Sequence, residues 1–148
     1  MKPVTLLPLL ACLGAASSFA ASGGSSGTPF DGKTNLVCTV QQLFECDSYA
    51  GCRAVGEDVA FPIRHLDVDV GKRTIKIEHL EADLTSPITT SEALQGKLLL
   101  QGTDSGIKGE AGGGGYTLSI NQTYGNMILT VAGQDVAFVG MGGCIAKR

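Results

Sequence analysis

The chain has 148 residues, 14 acidic against 11 basic, with no tryptophan and aromatic residues at only 5%. That length suits one folded domain. Its cations stand singly or in pairs, such as Lys72-Arg73 and Lys147-Arg148, which argues against a nucleic-acid footprint, and so few aromatics supply a stacking platform for bases or sugars poorly.

Met1 to Ala20 reads as a secretory signal peptide. Lys2 supplies the positive start, Val4 to Ala16 is mostly apolar, and Ser18-Phe19-Ala20 puts small residues at positions −3 and −1 of a cleavage site between Ala20 and Ala21. The apolar run is broken by Pro8 and Gly14 and is shorter than the ~20 residues of a spanning helix, so no transmembrane segment is expected. Leu9-Leu10-Ala11-Cys12 resembles a lipobox, which makes a lipoprotein anchored through Cys12 the minor alternative to soluble export. Ala21 to Thr28 is small and polar, a spacer with nothing to bury. Residues 21–35 are therefore expected to be a flexible linker and 36–148 a single β domain. Gly23-Gly24-Ser25-Ser26-Gly27 matches the G-x-S-x-G nucleophile elbow, but it lacks the strand before and helix after that the elbow requires.

Loss of the leader removes Cys12 and leaves Cys38, Cys46, Cys52 and Cys144. An even count in an exported chain predicts disulfides. The spacing Cys-x7-Cys-x5-Cys lacks the paired C-x2-C of structural zinc sites. Four cysteines allow three pairings, and sequence alone does not choose among them. The favoured reading closes a short loop with Cys46 and Cys52 around Gly51. Cys38 and Cys144 then join the first strand to the last and bring the cysteine loop beside Gly140-Met141-Gly142-Gly143.

Leu36, Cys38 and Val40 alternate with Val37, Thr39 and Gln41, the pattern of a strand. Gly56 to Pro62 is expected to form one helical turn. Leu66, Val68 and Val70, then Ile75 and Ile77 past Gly71-Lys72, predict a hairpin. Thr85 to Thr90 contains Pro87 and is expected to be an edge strand. Lys97 to Gln101 reads as a buried strand, and residues 103–115 as a glycine-rich connector without the Gly-Lys-[Ser/Thr] ending of a phosphate loop. Tyr116-Leu118-Ile120 and Met127-Leu129-Val131 predict a second hairpin, and Val136 to Met141 the last strand. The fold class is therefore all-β: an antiparallel meander of about eight short strands, forming a small barrel or a two-sheet sandwich stapled by disulfides.

The order of motifs is Glu45-Cys46-Asp47 with Cys52, Asp67-Val68-Asp69, Leu100-Gln101-Gly102, Tyr116-Thr117-Leu118-Ser119-Ile120, Gly125-Asn126-Met127, Thr130-Val131-Ala132-Gly133 and Phe138-Val139-Gly140-Met141-Gly142. This order resembles a group of small exported proteins of Gram-negative bacteria with no assigned activity. The resemblance spans Leu36 to Cys144 and implies a periplasmic β domain, with no catalytic residues to carry over.

Candidate chemistry is sparse. Asp104-Ser105-Gly106 matches the aspartic-protease triplet, but that chemistry needs two aspartates sharing a proton. His65 and His79 are isolated at strand ends. Asp67 and Asp69 share a strand face, where solvated side chains are the ordinary outcome. Asn121-Gln122-Thr123 is a glycosylation sequon only in a eukaryotic secretory pathway. No catalytic, cofactor or metal residues are assigned. The expectation is a non-catalytic binding or interaction module of the envelope, periplasmic or secreted, that takes a protein partner and no cofactor. One alternative is an inhibitor of periplasmic hydrolases on a lipocalin-like scaffold. Another is a hydrolase with a carboxylate site at Asp104 or at Asp67 and Asp69. A carrier of small apolar ligands would need a roomy interior, whereas inward Leu, Ile and Val predict a filled one.

Overall fold

The structure is a computed structural model that describes residues 27–55, 64–77, 84–103 and 114–148. The expected signal peptide, the helical turn at 56–62, His79 and Asp104 lie outside the described residues. Among the described residues nine strands follow in chain order: β1 (Leu36–Asp47), β2 (Gly51–Ala54), β3 (His65–Asp69), β4 (Thr74–Ile77), β5 (Leu84–Leu94), β6 (Lys97–Thr103), β7 (Gly115–Asn121), β8 (Asn126–Ala132) and β9 (Val136–Ala146). All pairings are antiparallel. Each strand from β3 to β9 pairs with the next, and β1 pairs with both β3 and β9, so eight strands close a barrel. The ninth, β2, is an addition on β1. Closure leaves the eight-stranded wall without the exposed edge that an open meander carries.

Alternation drives the closure. Leu66 and Val68 on β3, Leu98 and Leu100 on β6, and Leu118 and Ile120 on β7 are buried, while their sequence neighbours point outward. These side chains fill the interior together with Leu36, Ile75, Met127 and Leu129. Burying one such residue contributes about 1.5–3 kcal/mol, which is why register is strongly set here: a one-residue slip would turn every one of them to water.

Two expectations change. The stretch with Pro87 is no edge strand: β5 lies between β4 and β6 and runs to Leu94. Pro87 is accommodated because β5 changes partner there, pairing with β4 through Pro87 and with β6 from Ile88 onward. Arg73, in left-handed backbone (φ 56°), secures that changeover. Its carbonyl accepts the Ile88 N–H at 2.8 Å, and its guanidinium donates to the carbonyls of Ile88 (3.1 Å) and Thr89 (2.6 Å). The Tyr116 hydroxyl donates to the Pro87 carbonyl at 2.7 Å.

The linker expectation also changes over its described part, 27–35. Phe30 is 6% exposed and packs with the core against Gly125, and its carbonyl accepts from Gln122 Nε2 at 3.1 Å. One aromatic among small polar residues is enough to bring the chain back onto the barrel. Phe30 thus covers the end at which β7 turns into β8.

Both disulfides take the favoured pairing. Cys38 and Cys144 are direct cross-strand partners on β1 and β9, with Cα atoms 3.9 Å apart. Cys46 and Cys52 are partners on β1 and β2, 4.0 Å apart. The cysteine loop, however, is not beside Gly140–Gly143. β1 and β9 are antiparallel and long, so Cys46 faces Ala137 and Asp47 faces Val136, while the glycines lie alongside Thr39 to Leu43. At Gly142 the two backbones come so close that a methyl there would overlap the Thr39 carbonyl oxygen. A β-bulge between Val40 and Gln42 accompanies this approach.

Candidate functional site: a stapled hairpin at the barrel mouth

Strand direction sorts the ends of the barrel. The β3–β4, β5–β6 and β7–β8 turns and the Phe30 segment lie at one end. The opposite end holds the tip of the β1–β2 hairpin, the β8–β9 turn and the strand ends at His65, Ile77, Leu84, Thr103 and Gly115. At this second end β1 outruns β3. β3 covers only Leu36 to Thr39, and β2 takes the same edge of β1 from Phe44 to Asp47. β2 is exposed along its whole length. β1 stays paired with β9 as far as Asp47, so the hairpin forms the rim of the wall at this end, joined to it along one side and exposed on β2.

Its tip is fixed in four ways. The Cys46–Cys52 bridge ties the two strands one residue pair below the turn. The Asp47 carboxylate accepts the N–H of Tyr49 at 2.8 Å and of Ala50 at 2.6 Å, an Asx-type turn in which the side chain replaces a missing backbone acceptor. Gly51 closes the turn at φ 74°, a conformation glycine adopts without a steric penalty. Arg53 lies opposite Glu45 and donates to Glu45 Oε1 at 2.8 Å and to Asp47 Oδ2 at 3.1 Å, so one guanidinium holds both carboxylates.

The electrostatics follow from that arrangement. The backbone N–H groups of Ala50 and Tyr49, and after them Arg53, stabilise the ionised carboxylate and pull the Asp47 pKa below the ordinary aspartate value. Held in this frame is Tyr49, 97% exposed at the apex. A free tyrosine side chain on a loop would sample many directions; this one projects from a turn whose backbone has few.

The residues singled out in the sequence are scattered. Asp67 pairs with Lys147, and Asp69 with Lys72 at 3.2 Å. Asp69 also accepts the Lys72 N–H at 2.9 Å, which lowers its pKa, so each aspartate is held by a lysine of its own. His65 Nδ1 lies 3.3 Å from the Thr39 hydroxyl on the exposed outer wall. The Asn121 amide oxygen accepts the N–H groups of Thr123 and Tyr124 and shapes the β7–β8 turn. Among the described residues, no group of three or more His, Cys, Asp or Glu side chains is placed to hold a metal ion.

Sequence reasoning found the disulfide loop but missed Tyr49, Asp47 and Arg53 as a unit. The signal was present: Asp-Ser-x-x-Gly between two cysteines is turn chemistry, and an aromatic residue inside it has no core to enter. Comparison with protein families, with curated proteins and with solved structures gives no match for this chain.

Proposed function

We propose that the protein is an exported, non-catalytic binding module of the bacterial envelope and that the β1–β2 hairpin is its contact element. The observation that carries this reading is the exposure of Tyr49 on a turn held by a disulfide, a side-chain cap and an arginine clamp. Tyrosine is enriched among the residues that dominate binding energy, because it offers a large amphipathic surface at little entropic cost. Holding it rigid before contact removes part of the ordering cost of association.

Export is supported by the leader-like start and by two disulfides, which persist in oxidising compartments. Among the described residues, no helix is long and apolar enough to cross a membrane.

The binding reading is favoured over a carboxylate hydrolase by the state of Glu45 and Asp47. Among the described residues Arg53 holds these two carboxylates together, and a general acid needs a raised pKa, whereas that of Asp47 is lowered. The exposed Tyr49 at the turn of the hairpin suits a concave partner. Clefts of that kind are common in enzymes, so inhibition of an envelope hydrolase is the specific form of the reading.

The test is affinity capture from envelope extract with the wild type and with Tyr49→Ala. A partner enriched by the wild type and lost with Tyr49→Ala is expected. Equal capture by both, or none above control with the wild type, would refute the hairpin as the contact element.

A further inference from the structure

The barrel wall is divided electrostatically. β7, β8 and β9 contain no charged residue at all, and the outward positions of β1 from Val37 to Phe44 are uncharged too. On the opposite arc the outer face of β3 and β4 carries Asp67, Asp69 and Lys76. The uncharged wall also exposes three large apolar side chains, in addition to those exposed elsewhere, Leu94 at the end of β5 and the tyrosines of two turns. Ile128 on β8 and Met141 on β9 are cross-strand partners at 48% and 41% exposure, and Ile145 further along β9 is 69% exposed.

Charges do occur at the two ends of this wall, and they differ in sign. Asp135 is exposed in the β8–β9 turn at the hairpin end, while at the Phe30 end β9 is followed by Lys147, which pairs with Asp67, and by the exposed Arg148.

We infer that this wall is a self-association surface, occupied by a second copy of the chain packed face to face with its strands antiparallel to the first. Two features select a copy over another partner. An isologous interface places residues near the axis against their own counterparts, so a charge there would meet its like; this wall has none. A two-fold axis across the strands then sets the Asp135 end of each copy over the Arg148 end of the other, so the two ends of the wall are complementary to each other. An axis along the strands would set acid on acid and base on base.

The size fits a weak dimer. Four strands about 4.8 Å apart and seven residues long at about 3.3 Å each give a footprint of roughly 450 Å² per copy. Such a contact is at the low end of specific interfaces, and a dissociation constant on the order of 10 µM is expected.

Sedimentation velocity of the oxidised protein between about 1 and 500 µM tests this, the range bracketing that constant. A reversible monomer–dimer equilibrium is expected. Ile128→Asp and Met141→Asp should each weaken it at least about tenfold, with near-ultraviolet circular dichroism unchanged because both side chains are exposed. Asp135→Arg should weaken it about threefold and reduce its salt dependence, and adding Arg148→Asp should restore it. A monomer at every concentration, a dimer indifferent to Ile128→Asp, or a charge swap that fails to restore association would each overturn the proposal. Tyr49→Ala should leave the dimer intact; its loss there would move the contact to the hairpin and overturn the assignment to this wall.

Discussion

The two halves of β1 do opposite things with the same device. Its first half, Leu36 to Val40, lies between β3 and β9 with Leu36 and Cys38 fully buried, and Cys38–Cys144 joins residues 106 apart in sequence. Its second half, Gln42 to Asp47, lies between β2 and β9, and Cys46–Cys52 joins residues only 6 apart, on strands facing water. The first bridge constrains the unfolded chain over most of the domain. The second constrains a short turn that the folded barrel does not need. A disulfide whose contribution to global stability is the smaller of the two, placed under an exposed tyrosine, makes physical sense as preorganisation.

Substitutions separate the two roles. Replacing Cys38 and Cys144 together by alanine should have the largest effect: loop entropy alone gives ~4–5 kcal/mol for a loop of about a hundred residues. Urea unfolding under non-reducing conditions measures it. Gly142→Val comes next, because its side chain would occupy the space of the Thr39 carbonyl; about 3 kcal/mol of destabilisation is expected in the same experiment. Replacing Cys46 and Cys52 by alanine should cost ~2–2.5 kcal/mol by the same loop relation, about half the cost of the first pair, while abolishing capture of the hairpin's partner. A loss of stability matching that of the first pair would erase the distinction between the halves.

The smallest effect is local and depends on pH. Because its hydrogen bonds depress the folded-state pKa of Asp47, the turn is fully stabilised above the ordinary aspartate range and loses that contribution as pH falls through the depressed value. The amide resonances of Tyr49 and Ala50 should therefore move together on acidification from about pH 6 to about pH 2, and Asp47→Asn should abolish their transition while leaving that of the Lys72 amide, which Asp69 caps. Independent movement of the two amides would show that no single carboxylate caps both.

The barrel was legible in the sequence wherever alternation met burial. Leu66-Val68 with Ile75-Ile77, and Leu118-Ile120 with Met127-Leu129, announce their hairpins because each strand has one wet face and one dry. Pro87 misled for a physical reason: its lost donor is harmless where a strand changes partner, and that changeover is tertiary. Phe30 was hidden by its neighbours, since Gly/Ser composition says nothing about where one aromatic goes. β2 was invisible, because Gly51-Cys52-Arg53-Ala54 is exposed throughout and leaves no alternation to read. The turn between β3 and β4 was placed correctly, but Arg73 and not Gly71 takes the left-handed conformation. Its hydrogen bonds to Ile88 and Thr89 hold it there.

The bulge between Val40 and Gln42 acts as a phase shifter. Cys38 and Cys46 are eight residues apart, an even number, so an unbroken strand would aim both sulfurs into the same compartment. Before the bulge Cys38 is paired with Cys144, on the interior face of β9; after it Cys46 is opposite Ala137, on the exterior face. One inserted residue thus lets a single strand write one message inward and another outward. It also turns Glu45 and Asp47 toward the mouth of the barrel, where Arg53 gathers them. Removing Gln41 would put β1 back in phase, send Cys46 inside and turn the clamp to the outer wall. The apex of the hairpin, Tyr49, is aimed from Gln41, well down the strand.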